Sequence, residues 1–372
     1  MQDLFNGQYQ GKTVLVTGNT GFKGAWLGQW LSELGARVIG YALEPPTDPS
    51  MFQLLAPGYR TEIADIRDLQ RLSAVIAEVQ PDIVFHMAAQ PIVRLSYEIP
   101  VETMEINVMG SVNVLEACRG SDSVKAVVVI TSDKCYENRE WVWGYRECDP
   151  VGGYDPYSAS KGITEIATSS YRNSFFHPEK YGQSHRTLVA SVRAGNVIGG
   201  GDWGQDRLVP DIMKAAARND TVIIRNPFAT RPWQHVLEPL SGYLLVGSRL
   251  LEGNPGCAAA WNFGPGDDEA LCVKDVADAM QPHWDKITYE VRQDPSAVHE
   301  AHYLKLDTSK AYLELKWRPA WSYRRAFEKT VLWYRDYYEN PQRSMQEHTL
   351  QDIDDYVAAA REGGIAWSGG GR

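Results

Sequence analysis

An apolar run, Thr13 to Val16, passes directly into Thr17-Gly-Asn-Thr-Gly-Phe-Lys-Gly24, and a helical stretch follows to about Leu34, where Gly35 supplies the stop. Strand, glycine-rich turn and helix in that order constrain the chain more than any other feature, because the two flanks give the glycines a geometry. Gly18 permits the tight turn, Gly21 lets backbone approach a pyrophosphate, and Gly24 allows the helix to pack closely. The helix N-terminus then offers unpaired N–H groups to a phosphate anion. The spacing therefore predicts a dinucleotide site built on Gly18, Asn19, Thr20, Gly21, Phe22 and Gly24.

The rest of the first half repeats strand and helix. Arg37 to Tyr41 reads as a second strand, but Ala42 and Leu43 stand where an acid for the adenosine ribose is expected, and Glu44 comes only after them. That departure, with Lys23 inside the turn, leaves NAD and NADP both open. A short strand over 59–63 precedes Asp65-Ile66, a place to hold an adenine, and Asp68 caps a helix to about Val79. Asp82 to His86 is a fourth strand, with His86 read as an ordinary strand residue. Its exit carries the small residues Ala88 and Ala89 beside Gln90, which suits close approach of a dinucleotide. A helix from Pro100 to about Cys118 contains Asn107, read mainly as a helix anchor, and Ala126 to Ile130 is a buried strand.

This alternation implies an α/β protein with a doubly wound, parallel Rossmann-type sheet. Val189 to Arg193 is expected to complete it. Beyond, prolines break short elements into a smaller C-terminal α/β substrate lobe, threaded back onto the first half. The expected divisions are 1–190 for the dinucleotide-binding domain with return segments, 191–340 for the lobe, and 341–372 for a helix and a loose glycine-rich tail.

The chemistry is concentrated between Thr131 and Lys161. A helix starting at Asp155 or Pro156 puts Tyr157 and Lys161 one turn apart on one face. A phenol ordinarily loses its proton near pH 10. A fixed ammonium and an oxidised nicotinamide beside it favour the phenolate, and bringing its pKa to about 7 takes roughly 4 kcal/mol of differential interaction. Such a phenolate can take a proton from a sugar hydroxyl. Ser132, Asp133 and Lys134, at the end of the Ala126–Ile130 strand, supply a hydroxyl, a carboxyl and an amine for the same locus.

The 372 residues, 44% hydrophobic and 23% charged, suffice for substantial cores. A net charge of −10 argues against broad nucleic-acid or anionic-membrane binding. Five scattered cysteines without a CxxC pair or a His-rich cluster predict no metal site and no disulfide framework, and fit a reducing cytoplasm. No secretory leader or run of about 18 apolar residues is apparent, so no membrane association is expected. Most of the twelve tryptophans read as core or pocket walls.

Taken in order, Thr17-Gly-x-x-Gly-x-x-Gly24, Asp65-Ile66, Ala88-Ala89, Asn107, Ser132-Asp133-Lys134, Tyr157-x-x-x-Lys161, Asn196, Arg231 and Asp307-x-Ser-Lys310 resemble the extended short-chain dehydrogenase/reductase family, specifically its sugar-nucleotide 4,6-dehydratases. The resemblance spans roughly residues 12–333. Thr131–Tyr136, Trp143–Glu147 and His299-Glu-Ala301 look most like the branch acting on CDP-glucose, since the dTDP-glucose and GDP-mannose branches usually carry a Glu where Lys134 stands.

The resemblance implies a bound NAD that takes hydride from C4 of the hexose and returns it to C6. Tyr157 would be the base at O4, Lys161 its electrostatic partner and a ribose ligand, and Ser132 the holder of O4. Asp133, kept protonated by burial, would be the acid at the C6 hydroxyl. Lys134 would act at C5, as a neutral base or as a donor to the enolate. Arg231 would meet the substrate pyrophosphate, with Gln90, Arg94, Asn196, Arg207 and His299 as further pocket residues. It also implies a homo-oligomer paired through helices over roughly 99–118 and 156–176, and a product used for 3,6-dideoxyhexoses of bacterial surface polysaccharide. Two alternatives stay open: another 4,6-dehydratase or a 4-epimerase, disfavoured by Asp133-Lys134, and a non-catalytic dinucleotide sensor, disfavoured by the presence of Tyr157 and Lys161.

Overall fold

The computed structural model describes residues 1–224, 227, 230–266, 270–292 and 304–369. In chain order the first half holds β1 (Thr13–Thr17), α1 (Phe22–Glu33), β2 (Arg37–Ala42), α2 (Met51–Leu55), β3 (Thr61–Ile63), α3 (Leu69–Val79) and β4 (Ile83–His86). Then come α4 (Val93–Glu98), α5 (Pro100–Met104), a π-helical turn (Glu105–Met109), α6 (Gly110–Arg119), β5 (Ala126–Ile130), α7 (Pro156–Ser174) and β6 (Leu188–Ala194). The second half holds β7 (Val197–Ile198), α8 (Leu208–Arg218), β8 (Thr221–Ile224), β9 (Thr230–Pro232), β10 (Gln234–His235) and α9 (Leu237–Leu251). It closes with β11 (Ala260–Phe263), β12 (Ala270–Cys272), α10 (Val273–Met280), β13 (Thr288–Val291), α11 (Tyr323–Glu339) and α12 (Met345–Glu362).

Seven strands form one parallel sheet in the order β11-β6-β5-β4-β1-β2-β3. Every residue of β1, β4, β5 and β6 is buried. The strand period of two explains how both faces are used. Val14, Val16, Ile83, Phe85, Ala126, Val128, Ala190 and Val192 enter one core with α1, α9, α11 and α12, while Leu15, Val84, Val127, Val129 and Val189 enter the other with α3 and α6. Helices on both faces exclude water from the strands, so continuous apolar runs are what such strands need. This is the expected doubly wound sheet.

One expectation is corrected. β6 does not complete the sheet: β11 pairs parallel with it, Ala260 to Ser191 through Phe263 to Ala194, and adds a seventh strand. Residue 190 lies within β6, and α9, a segment from the second half, packs on β5 and β6. After residue 341 the expected helix is α12, and the last part of the expected glycine-rich tail, 370–372, lies outside the described residues. α12 and the turn after it are docked, with Trp367 stacked on Phe5 at 5.0 Å and on Tyr356 at 5.8 Å, edge-on to Trp30. The aromatic rings supply an apolar contact that glycine-rich composition hid. Among the described residues no helix is long and apolar enough to cross a membrane.

The smaller elements lie outside the sheet. β10 pairs with β7, β12 with β9 and β13 with β8. The turn after β7 is tied back to α1 by Trp26 Nε1, which donates to Gly200 O at 2.9 Å.

Candidate active site

The chain runs one way from β1 through β2 and β3, and the other way through β4, β5 and β6. The reversal lies between β1 and β4, where a doubly wound sheet opens a crevice at its carboxyl edge. The two exits touch there. Gly18 sits at φ +73°, and a Cβ on it would come 2.7 Å from Ala88 N. A Cβ on Gly24 would lie 2.2 Å from Gly18 O, so the turn folds only with glycines at both places. Gly21 N-caps α1 with no side-chain acceptor, which leaves the first N–H groups of the helix directed at the crevice. This cradle fits a dinucleotide pyrophosphate.

Asn19 and Thr20 contribute to that cradle through backbone only. Asn19 Nδ2 donates to Thr61 Oγ1 at 2.9 Å, and Thr20 Oγ1 donates to Leu43 O at 2.9 Å. Phe22 is half-buried at the first position of α1. The Asp65 carboxylate accepts from Arg67, through the backbone N at 2.8 Å and Nε at 2.9 Å. Ile66 is core, packed where Gly110 lacks a side chain. The guanidinium groups along the β2–β3 edge are committed too. Arg60 pairs with Glu62 and Glu78, Arg71 with Glu62, and Arg67 with Asp65. Among the described residues that edge has no spare guanidinium for a 2′-phosphate, which favours NAD over NADP.

The catalytic candidates meet at the end of β5. Asp155 caps α7 by accepting from Ser158 N at 2.9 Å, and Pro156 fixes the first helical residue. Tyr157 and Lys161 are buried on one face, as the spacing predicts. Across from them Ser132 caps a short 3-10 turn, Asp133–Cys135. Ser132 Oγ donates to Asp133 Oδ1 at 2.9 Å, and the Tyr157 hydroxyl is hydrogen-bonded to Ser132. Phenol, hydroxyl and carboxyl therefore form one row. Lys134 follows, half-buried.

Burial dominates the electrostatics of the site. Burial pushes the Tyr157 phenol up to about 12, and the nearby Asp133 adds to this, while the Ser132 hydrogen bond and the Arg207 charge work against it. Burial also lowers Lys161 to about 8, reinforced by the charge of Lys23. Lys23 falls to about 8 through burial and Arg207, opposed by Asp133 and Asp202. For Tyr157 burial outweighs the Ser132 hydrogen bond and the Arg207 charge, and the phenolate expected from the sequence also needs the oxidised nicotinamide as a neighbour. Lys23 and Arg207 are two cations of this cleft. The sequence named Arg207 for the substrate and left Lys23 without a role.

The remaining candidates divide. Arg207 precedes α8, half-buried, and pairs with Asp202 at 2.7 Å. Arg94 stands at the exposed rim, paired with Asp206 at 2.9 Å. Asn196 lies half-buried between β6 and β7, where its carbonyl accepts from Gln234 N at 3.1 Å. Gln90 is a correction, since its side chain is spent on the scaffold: Nε2 donates to Thr103 Oγ1 at 3.0 Å and Oε1 accepts from Ile92 N at 2.5 Å. Asn107, expected both as a helix anchor and among the cofactor residues, has its side chain bonded to the scaffold. Its Oδ1 accepts from Gln90 N at 2.8 Å and its Nδ2 donates to Ser160 Oγ at 2.8 Å. Ala88 and Ala89 are half-buried at the crevice wall. Arg231 lies in β9 with its side chain outside the described residues, as is all of His299. His86, an ordinary strand residue as expected, bridges Thr17 and Ser111 at 2.8 Å each.

A glycine cradle at a sheet switch point, facing a Ser–Tyr–Lys ledge with an added carboxyl, defines an enzyme site of the extended short-chain dehydrogenase/reductase type. The sequence model for GDP-mannose 4,6 dehydratase matches residues 15–253, and the chain belongs to that family. It is 52% identical over 353 residues to CDP-glucose 4,6-dehydratase of Salmonella typhimurium, covering 94% of this chain and 98% of that one. Solved structures share the fold. Pal from Bacillus thuringiensis has a TM-score of 0.75 at 22% identity, over 87% of this chain and 99% of that one. UDP-glucose 4-epimerase of Thermus thermophilus, a complex with NAD, has a TM-score of 0.70 at 24% identity over the same shares.

Proposed function

We propose that the chain is a hydro-lyase that converts CDP-glucose into CDP-4-keto-6-deoxyglucose and water. The near-full-length likeness to the Salmonella enzyme carries the choice of nucleotide. The Ser132–Asp133–Tyr157 row supports the reaction type. The cradle around Gly18 and Gly24 fits NAD, which when bound would accept the C4 hydride and give it back at C6.

Tyr157 removes the proton from O4, and Ser132 holds that oxygen in line. Its phenol, raised to about 12 by burial, becomes competent as positive charge gathers around it from Lys161, Arg207 and the oxidised ring. The C4 ketone then acidifies the C5 proton. Lys134, beside Asp133 on the same turn, acts at C5, and Asp133 gives its proton to the departing C6 hydroxyl. Arg231 and Arg207 hold the substrate pyrophosphate with charge-assisted hydrogen bonds. Asp133 and Lys134 distinguish this cycle from epimerisation, which needs no acid for a leaving hydroxyl.

The active form in this reading is a homo-oligomer. Val101, Met109, Ile163 and Ile166 are exposed apolar residues on the α5–α6 and α7 segments, the two helices expected to pair between copies. A cytoplasmic setting, supported by five unpaired cysteines, belongs to the same reading.

The test is incubation of the purified protein with CDP-glucose and detection of a product lighter by one water, with the alkali absorbance of a ketosugar. An unchanged substrate, with another nucleotide hexose consumed instead, would overturn the assignment of the nucleotide.

A further inference from the structure

Glu165 lies four residues beyond Lys161 on the Tyr157–Lys161 face of α7 and is buried, its side chain 3% exposed. Its two oxygens take three donors. Oε1 accepts from Thr131 Oγ1 at 2.5 Å, and Oε2 accepts from Ser191 Oγ and from Arg193 Nη2, both at 2.7 Å. Thr131 is the residue before Ser132, and its N–H is held by Val192 O at 2.9 Å. Arg193 continues the chain of bonds. Its Nη1 donates to the Tyr136 hydroxyl at 2.6 Å, and that hydroxyl donates to Asn262 Oδ1 at 2.8 Å. One carboxylate thus ties α7, the ends of β5 and β6, the Ser132–Tyr136 segment and β11 into a single network.

Stability is a poor reason for such a pair. Two charges withdrawn from water recover little more than their desolvation cost, and well-packed apolar residues of similar volume often serve as well. Burial by itself would raise the Glu165 carboxyl, but the Arg193 charge and the three hydrogen bonds hold it below the usual carboxylate range, so it stays ionised. With three donors on its two oxygens, Glu165 is held in one geometry, although Arg193 Nε in the same network has no hydrogen-bond partner.

Resting on the dehydratase reading above, we infer that Glu165 is a positioning residue for the reaction: through Thr131 and Arg193 it sets the α7 face of Tyr157 and Lys161 against the strand end that carries Ser132 and Asp133. It touches no reacting atom. Misplacement of reacting groups by about 1 Å can cost on the order of a hundredfold in rate, so the clamp would act on turnover rather than on substrate affinity.

The wild-type enzyme is first matched to the nucleotide hexose it dehydrates; if that is not CDP-glucose, the reading above fails while the comparison proceeds on the accepted substrate. Thr131→Val removes one link and leaves the ion pair intact, whereas Thr131→Ser keeps the hydroxyl. The double variant Glu165→Met with Arg193→Met removes both charges together, which avoids stranding one of them. The expected result is a kcat about tenfold lower for Thr131→Val and about a hundredfold lower for the double variant, each at unchanged KM and with a correspondingly slower single-turnover rise of reduced-nicotinamide absorbance. Thr131→Ser should restore wild-type rates. Folded variants with wild-type kcat, differing only in melting temperature, would overturn the inference and leave Glu165 a purely structural residue.

Discussion

Ser132 Oγ donates to Asp133 Oδ1 at 2.9 Å, so the hydroxyl proposed to hold O4 is already bonded to the carboxyl proposed to protonate the leaving hydroxyl. The two halves of the reaction share one hydrogen-bonded row. Asp133→Asn keeps the shape of that row and removes the proton donor. Oxidation at C4 should persist, seen as accumulating reduced-nicotinamide absorbance, while water loss falls by about a hundredfold or more. Equal loss of both signals would show that Asp133 serves binding instead.

Lys134 stands in the same turn, half-buried, beside Asp133. Lys134→Met should leave C4 oxidation detectable and cripple exchange of the C5 proton with deuterated water. Normal exchange in that variant would remove Lys134 from the mechanism.

Two histidines make the fold sensitive to acid. Burial lowers His86 and His235 from 6.5 to about 3, so both are neutral in the folded protein. Between pH about 6.5 and about 3 the unfolded chain takes up protons that the folded chain refuses, and stability falls as pH falls through that window. Asp352, pushed up to about 6 by burial, opposes this between 3.8 and about 6, but it faces His348, itself lowered to about 4 by burial. The melting temperature should therefore drop steadily below pH 6.5, less steeply in His86→Asn. A flat profile would mean that these sites admit water.

What could be read in the sequence was whatever depends on local pattern. All-apolar runs bounded by helices gave the parallel sheet, and the spacing of Tyr157 and Lys161 gave a shared helix face. The failures depend on distant partners. Ala260–Phe263 is too short to announce a strand and becomes one only because β6 lies open beside it. Gln90 and Asn107 are individually plausible ligands, and only tertiary contact shows the Asn107 side chain on the Gln90 backbone and the Gln90 side chain on Thr103 and Ile92. Glu165 carried no motif signal. Its position, four residues beyond Lys161, could have been noticed, but the partner at Arg193 could not be guessed from spacing.

The C-terminal segment should matter to stability. Trp367 is fully enclosed between Phe5, Trp30 and Tyr356, joining the two ends of the chain over α1. Trp367→Ala removes a large core side chain and should cost about 3–5 kcal/mol, read as a lower denaturant midpoint. A change below about 1 kcal/mol would indicate that residues after 362 are held weakly.

The central claim is an internal transfer, in which hydrogen leaves C4 and reappears at C6 within one enclosed site. It is tested most directly with CDP-glucose carrying deuterium at C4. The account predicts deuterium in the methyl group of the 4-keto-6-deoxy product, with no labelled dinucleotide released. Label returned to C4, or lost to free reduced dinucleotide, would contradict it.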